Sequence, residues 1–140
     1  MSRSPLFLDT GYFRGLLDKD DRFHGATLRW QKVLAEVPRT LVTSTAVLLE
    51  LGNHFCKPGP FETALLLLQS VLRDPKFVTV QITKEHIEDG LSLRASRQDK
   101  AWGLTDCTSF LVMRDLGITE ALACDRHFVQ AGFRALLREG

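Results

Sequence analysis

Apolar positions along this chain follow two alternating patterns. Short apolar runs, which are typical of buried strands, occur in the stretches PLFL, TLVT, FVTVQI and EALAC. Between these runs apolar residues recur every three or four positions, as they do on one face of a helix. The first such helix is expected to end before Pro38 and carries one apolar stripe, formed by Phe23, Thr27, Trp30, Leu34 and Val37. Strands that alternate with helices predict an α/β fold, with a parallel, doubly wound sheet of about five strands flanked by helices.

Capping and turn residues mark the ends of the other predicted helices. Ser44, Thr83 and Thr105 are each expected to cap a helix, because serine and threonine side chains accept hydrogen bonds from free backbone N–H groups. Gly117 is expected to end the helix that Thr105 begins. A strongly apolar helix is predicted over residues 61–73, after the turn KPGP. A short helix and the apolar run FRALL end the chain.

The composition is that of one globular domain. A chain of 140 residues, with 44% hydrophobic and 25% charged residues, can bury a core without disulfides or metals to hold it, so we expect one domain over residues 1–140. The formal net charge is +1, and any nucleic-acid site must therefore rest on a local basic patch.

The cysteines and the lengths of the apolar stretches predict the cellular compartment of the protein. Cys56, Cys107 and Cys124 form no CxxC pair and lie in apolar stretches, so we expect buried free thiols in a reducing compartment. The first residues do not have the pattern of a signal peptide. The most apolar stretch, ALLLLQSVL, is far shorter than the ~20 residues of a membrane span. These features predict a soluble, cytoplasmic protein without a membrane segment.

Acidic residues stand at the borders of the apolar runs. Asp9 follows PLFL and Asp125 follows EALAC, while Glu50 lies in the helix after TLVT and Asp106 lies near the start of the helix before EALAC. Ligands of an open parallel sheet bind beyond the carboxyl ends of its strands, so the fold could bring these acids to one crevice. Carboxylate oxygens are the ligands that Mg²⁺ and Mn²⁺ prefer, and the set therefore predicts a site for such a cation.

Each acid also has a structural explanation. Asp9 could stop a strand and cap the next helix, Asp106 suits the positive end of a helix dipole, and Asp125 could form a local ion pair. An aspartic protease is disfavoured because such enzymes are almost wholly β-sheet. A phosphoaspartate enzyme needs a second aspartate two positions after the first, where this chain has Gly11. The four histidines are scattered without zinc-site spacing, so we expect them at the surface or in packing roles.

Four motifs in order along the chain carry a family resemblance. They are LFLDTGYF, TSTAVLLELGNHF, DKAWGLTDCTSFLVM and GITEALACDRHFVQAGF. Together they resemble the PIN-domain nucleases, the family that includes the VapC toxins of bacterial toxin–antitoxin pairs. The resemblance extends over essentially the whole chain.

The resemblance implies metal-dependent hydrolysis of RNA phosphodiester bonds. The implied catalytic and metal-binding residues are Asp9, Glu50, Asp106 and Asp125, with one or two Mg²⁺ ions that Mn²⁺ can replace. It further implies a toxin with a cognate antitoxin. A housekeeping PIN-domain RNase, a non-catalytic α/β binding module and a phosphotransferase are the alternatives. The sequence leaves the RNA target and the identity of the antitoxin open.

A run of leucines predicts that one helix contacts another protein surface as well as the sheet. Leu65, Leu66, Leu67 and Leu68 are consecutive, and four adjacent residues cover more than one face of a helix. One face can pack on the sheet, and the other needs another surface. We therefore expect a homodimer, as the resemblance also implies.

Basic residues precede the Asp106 motif. Arg94, Arg97 and Lys100 lie about three residues apart and form a candidate contact for RNA phosphates, or else a solvated helix end. We expect Asp99 to pair with Lys100 or a nearby arginine rather than to bind metal.

Other residues beside the acids allow two interpretations each. The hydroxyls of Thr10, Ser44 and Thr105 either position waters at the site or cap helices. Three aromatic side chains could stack on bases, although core positions are expected for the last two of them: Tyr12, Phe13 and Trp102.

Overall fold

The computed structural model of the protein describes residues 4–139. In this range the strands are β1 (Leu6–Leu8), β2 (Leu41–Ser44), β3 (Phe77–Val80), β4 (Glu120–Leu122) and β5 (Arg134–Ala135). The α-helices are α1 (Thr10–Leu17), α2 (His24–Glu36), α3 (Thr45–His54), α4 (Pro60–Arg73), α5 (Lys84–Ser96), α6 (Leu104–Leu116) and α7 (Arg126–Gln130). A short 3-10 helix over Leu136–Arg138 follows β5.

The five strands form one parallel sheet in the order β3-β2-β1-β4-β5. Phe7 of β1 pairs with Val42 on one side and with Ala121 on the other. From β1 the chain builds the sheet first toward β3 and then, on the opposite side, toward β5. The predicted doubly wound α/β fold is therefore confirmed, and its strand order reverses at β1, where such folds open a ligand crevice.

The central strand lies in the middle of the core. All three residues of β1 are fully buried, as expected for a parallel strand with helices on both faces. On one side, Phe7 lies 6.4 Å from Phe128 of α7, measured between ring centroids. Phe110 of α6 meets the same Phe128 edge-on at 5.0 Å. These contacts hold α6 and α7 against the strand that precedes Asp9.

The predicted helix caps are confirmed at three of four positions. The side chains of Ser44 and Thr83 accept hydrogen bonds from the first turns of α3 and α5, and Gly117 ends α6 with a positive φ of 68°. The expectation that Thr105 caps α6 is wrong. This helix begins one residue earlier, and the carboxylate of Asp106 accepts the Gly103 N–H at 3.1 Å.

Helix α1 has no counterpart among the helices predicted from periodicity. It is short and contains Gly11 and Gly15, which weaken a helix on their own. Both glycines are needed for close packing. A Cβ on Gly11 would lie 2.5 Å from the Sγ of Cys124, and a Cβ on Gly15 would overlap the Thr27 hydroxyl. Packing against distant segments, rather than local preference, thus places this helix.

Two smaller expectations need correction. Strand β4 ends at Leu122, so the apolar run EALAC extends beyond the strand, and Asp125 caps α7 instead of directly following β4. Cys107 is buried and Cys124 half-buried, but Cys56 is exposed, because its apolar neighbours belong to the end of α3 and a surface turn. No helix within residues 4–139 combines the length and the apolar character that a membrane span requires.

Candidate metal centre

The four predicted acids converge around the carboxyl end of β1. Asp9 directly follows this strand, and its backbone N–H donates to the carbonyl of Leu122 at the end of β4. Asp106 lies in the first turn of α6, and Asp125 is the N-cap of α7. The charges of Asp106, Glu50 and Asp125 all act on the Asp9 carboxyl group. The sheet therefore brings together residues that lie far apart in sequence.

Asp9 is the most buried of these acids. The residue is 6% exposed, and its Oδ1 atom is buried without a hydrogen-bond partner among the described residues. Burial and then the charge of Asp106 raise the pKa of Asp9 from the ordinary 3.8 to about 7; the Thr10 backbone N–H opposes this rise, and Glu50 and Asp125 add to it. Asp9 occupies the N-cap position of α1 without a side-chain capping bond. Asp9 thus stops β1 and takes the N-cap position, as the structural alternative expected, but its side chain supplies no capping bond.

Asp106, Asp125 and His127 form a close group. The Nδ1 atom of His127 lies 2.8 Å from Asp106 Oδ2 and 3.2 Å from Asp125 Oδ1. Burial raises the pKa of Asp106, while hydrogen bonds from His127 and from the Gly103 N–H act in the opposite direction. These three side chains offer ligand atoms near enough to one another to hold one metal ion. The expectation that the histidines have only surface or packing roles is thus wrong for His127, which its position two residues after Asp125 could have signalled.

Glu50 reaches the site from α3. It is exposed, and its Oε1 accepts a hydrogen bond of 2.6 Å from the Thr10 hydroxyl. Thr10 therefore contacts one of the predicted acids. The Ser44 hydroxyl is fully buried and caps α3, and the Thr105 carbonyl accepts a bond from Thr108 inside α6. Of the three predicted supporting residues, Thr10 is the one with a direct hydrogen bond to the acidic set.

The predicted basic residues lie where α5 ends and the next loop begins. Arg97 and Lys100 both pair with Asp99, at 3.3 and 3.5 Å, so the pairing expected for Asp99 is confirmed. The guanidinium of half-buried Arg94 donates to the Arg97 carbonyl. The Arg97 guanidinium also lies 5.1 Å above the ring of Trp102. These contacts hold the three cations in one loop region, with part of their bonding capacity used within the protein.

The aromatic residues near the site belong to the core. Tyr12 and Trp102 are 4% and 3% exposed, and Phe13 is fully buried. The core positions expected for Phe13 and Trp102 are confirmed, and the idea that these rings stack on bases is wrong. Trp102 donates a hydrogen bond to Gln130 of α7, so it ties the loop before α6 to the helix that carries His127.

The chemistry of this cluster fits a divalent cation. Asp106, Asp125 and His127 lie within ligand distance of one another, and Asp9, outside that group, has a buried Oδ1 without a partner among residues 4–139 and feels the charges of Asp106 and Asp125. An unpaired buried carboxylate oxygen costs free energy unless a cation or a donor meets it. Carboxylate oxygens with one nearby imidazole suit Mg²⁺ or Mn²⁺ better than a soft metal that prefers thiolates. The geometry therefore supports a metal centre at this position.

Comparison with known proteins agrees with this fold. The family model for the PIN domain matches residues 6–134. The 23S rRNA-specific endonuclease VapC20 of two Mycobacterium tuberculosis strains is 30% identical over 132 residues, which cover 91% of this chain and 95% of the relative. The crystal structure of Mycobacterium tuberculosis VapC20, described as a sarcin-ricin loop cleaving toxin, has a TM-score of 0.82 and 25% identity, and covers 93% of this chain and 97% of that one. The chain belongs to the PIN domain family.

Proposed function

We propose that this protein is a metal-dependent endoribonuclease that hydrolyses RNA phosphodiester bonds, and that it is the toxin of a type II toxin–antitoxin pair. The observation that carries the proposal is the convergence of Asp9, Glu50, Asp106 and Asp125 at the switch point of the sheet. The relative VapC20, which matches nearly the full chain, is a 23S rRNA-specific endonuclease. Ribosomal RNA is therefore the first substrate to test.

Asp9, Asp106 and Asp125 are the residues that would hold Mg²⁺, or Mn²⁺ in its place, with Glu50 at the edge of the site. A divalent cation bound there supplies a bound water of lowered pKa and offsets charge on the phosphate oxygens. Asp106 and Asp125 are already oriented, because each accepts a backbone N–H, from Gly103 at 3.1 Å and from His127 at 3.0 Å. The Asp9 carboxylate needs no rearrangement to leave its buried Oδ1 free for a ligand.

Glu50 and the basic loop complete the proposed reaction site. Glu50 is exposed and fixed by Thr10, so its carboxylate can accept a proton from an attacking water at the solvent side of the cluster. Asp125 has a side chain that is 41% exposed, which leaves the site open to a bulky substrate such as folded RNA. Arg94, Arg97 and Lys100 are the proposed contacts for the phosphates of that substrate.

Two surfaces suit the proposed protein partners. On α4, Leu66 and Leu72 are 70% and 63% exposed, an apolar surface that a second copy of the chain would cover in a homodimer. A groove of about 690 Å³ between α1, α2 and α4 is lined by apolar residues such as Leu16 and by the basic residues Lys32 and Lys76. A groove lined by apolar and basic residues suits an antitoxin segment that contains hydrophobic residues with acidic residues beside them.

Cleavage of RNA by the purified protein tests the proposed activity. We expect cleavage of ribosomal or single-stranded RNA with Mg²⁺ or Mn²⁺, none in EDTA, and a loss of about 100-fold or more in Asp106→Asn. Asp115→Asn is the matched control, because Asp115 is an exposed aspartate on the same helix, and it should retain wild-type activity. Full activity in EDTA, or in Asp106→Asn, would refute the metal-dependent mechanism.

The toxin assignment has a separate test in cells. Induced expression of the protein should stop growth, and expression of the Asp106→Asn variant should not. Co-expression of a small protein encoded immediately upstream should relieve the arrest. Active nuclease without growth arrest would favour a housekeeping RNase.

A further inference from the structure

His127 stands between two of the proposed metal-binding carboxylates. Its Nδ1 lies 2.8 Å from Asp106 Oδ2 and 3.2 Å from Asp125 Oδ1. An ionised carboxylate only accepts hydrogen bonds, so the contact with Asp106 corresponds to the tautomer in which Nδ1 carries the proton. The imidazole thus hydrogen-bonds Asp106 of α6 and lies in ion-pair contact with Asp125, the N-cap of α7.

These contacts use one oxygen of each carboxylate. Asp106 Oδ2 also accepts the Gly103 N–H at 3.1 Å, and Asp125 Oδ1 also accepts the His127 backbone N–H at 3.0 Å. Asp106 Oδ2 therefore has two donors, and Asp125 Oδ1 has one donor and the His127 ring in ion-pair contact, which leaves the other oxygen of each carboxylate to meet a ligand. The buried Asp9 Oδ1, which has no partner among residues 4–139, lies in the same cluster.

The fold fixes the place of the imidazole. The next residue, Phe128, is fully buried between Phe7 and Phe110, and Asp125 caps the helix on which both residues lie. The backbone of His127 is therefore held by packing that does not depend on a metal ion.

We propose that His127 is a positioning residue, whose ring holds Asp106 by the Nδ1 hydrogen bond and Asp125 by the ion-pair contact, so that their remaining oxygens and Asp9 Oδ1 face one cation. The inference rests on the proposed function, because it assumes that these carboxylates bind a metal. Hydrogen-bond partners behind metal ligands commonly contribute 10–100-fold to metal affinity. His127 is thus assigned to the support of the two carboxylates and not to coordination of the ion, which is the alternative that its distance from them also allows.

The test is a Mn²⁺ titration of the metal-free protein by calorimetry. His127→Phe keeps a planar ring without the donor and should raise the Kd for Mn²⁺ by about 10–100-fold. His127→Asn offers an amide N–H near the position of Nδ1, and its Kd should stay within about fivefold of wild type. His86→Phe is the matched control, because His86 Nδ1 is also hydrogen-bonded, to the Thr83 cap of α5. It should lower the melting temperature and leave the Kd unchanged.

The other outcomes separate this inference from the proposed function. An unchanged Kd in His127→Phe, or an equal loss in His127→Asn, would overturn the positioning role. Pulsed EPR of the Mn²⁺-loaded wild type, which needs no variant to fold, should show no strong ¹⁴N coupling; such a coupling would make His127 a direct ligand and also overturn it. If wild type binds no Mn²⁺ at millimolar concentration, the proposed metal centre fails together with the inference.

Discussion

Replacing Asp9 by Asn removes a charge from the most buried position of the acidic cluster while keeping the size of the side chain. The pKa of Asp9 rises from 3.8 to about 7 on folding, first because of burial and then because of Asp106. One pKa unit corresponds to about 1.4 kcal/mol, so ionised Asp9 removes at most about 4 kcal/mol from the free energy of unfolding of the metal-free protein. With some relaxation around the charge, we expect Asp9→Asn to be more stable than wild type by about 2–4 kcal/mol near pH 8 in EDTA.

The stability difference between Asp9→Asn and wild type should depend on pH, whereas a difference caused by altered packing would not. The folded protein keeps the Asp9 proton up to about pH 7, whereas the unfolded chain releases it near 3.8. Between these values the folded state binds more protons, so the stability of wild type falls as the pH rises. The advantage of Asp9→Asn should therefore be small near pH 4 and grow until about pH 7.

Urea unfolding at several pH values, with EDTA and with Mg²⁺, measures the effect. A metal at ten times its Kd adds about 1.4 kcal/mol to the free energy of unfolding of wild type. Mg²⁺ should therefore reduce the stability difference between Asp9→Asn and wild type. Thr83→Ala, which removes a real helix cap, is the control and should lose about 0.5–2 kcal/mol under every condition. If Asp9→Asn is less stable than wild type by the same margin at each pH and with either additive, Asp9 has a structural role and the reasoning is wrong.

Three further changes test contacts around the site. Thr10→Val, which removes the 2.6 Å bond to Glu50, should lower kcat for RNA cleavage about tenfold, while Thr10→Ser stays near wild type; equal rates in both variants would contradict the role of this bond. Gly11→Ala places a Cβ 2.5 Å from Cys124 Sγ and should lower the free energy of unfolding in urea by about 1–3 kcal/mol. The double variant with Cys124→Ala should regain at least half of that loss. If the losses of the two single variants simply add in the double variant, the proposed contact is wrong. Leu66→Glu should convert a wild-type dimer into a monomer by light scattering, and a wild type that is already monomeric at tens of micromolar would disprove the dimer.

Much of the architecture follows from short-range patterns in the sequence. The run PLFL is apolar on both faces, which already indicates a central strand of a parallel sheet. The caps at Ser44 and Thr83 and the αL residue Gly117 act within one helical turn, so they are readable without knowledge of the fold. The position of Asp9 at the end of β1 could be predicted for the same reason, since this residue directly follows an apolar run.

The exposure of individual side chains was decided by the tertiary structure. Cys56 lies in an apolar stretch but is exposed, and Tyr12, a candidate for base stacking, is buried. Periodicity shows that a residue lies on an apolar face, but the neighbouring elements decide how much of that face is covered. Helix α1 is the extreme case, because Gly11 and Gly15 are unfavourable locally and become useful only where Cys124 and Thr27 approach them.

The details of the site also depended on long-range packing. Thr10 and Glu50 are 40 positions apart in sequence, and Asp106 and His127 are 21 apart, yet each pair is joined by a short hydrogen bond. The sequence indicated the acids because each lies at an element boundary, which is a local feature. The spacing of two residues places His127 near Asp125, but its contact with Asp106 exists only after α6 and α7 pack on β1 through their buried aromatic rings.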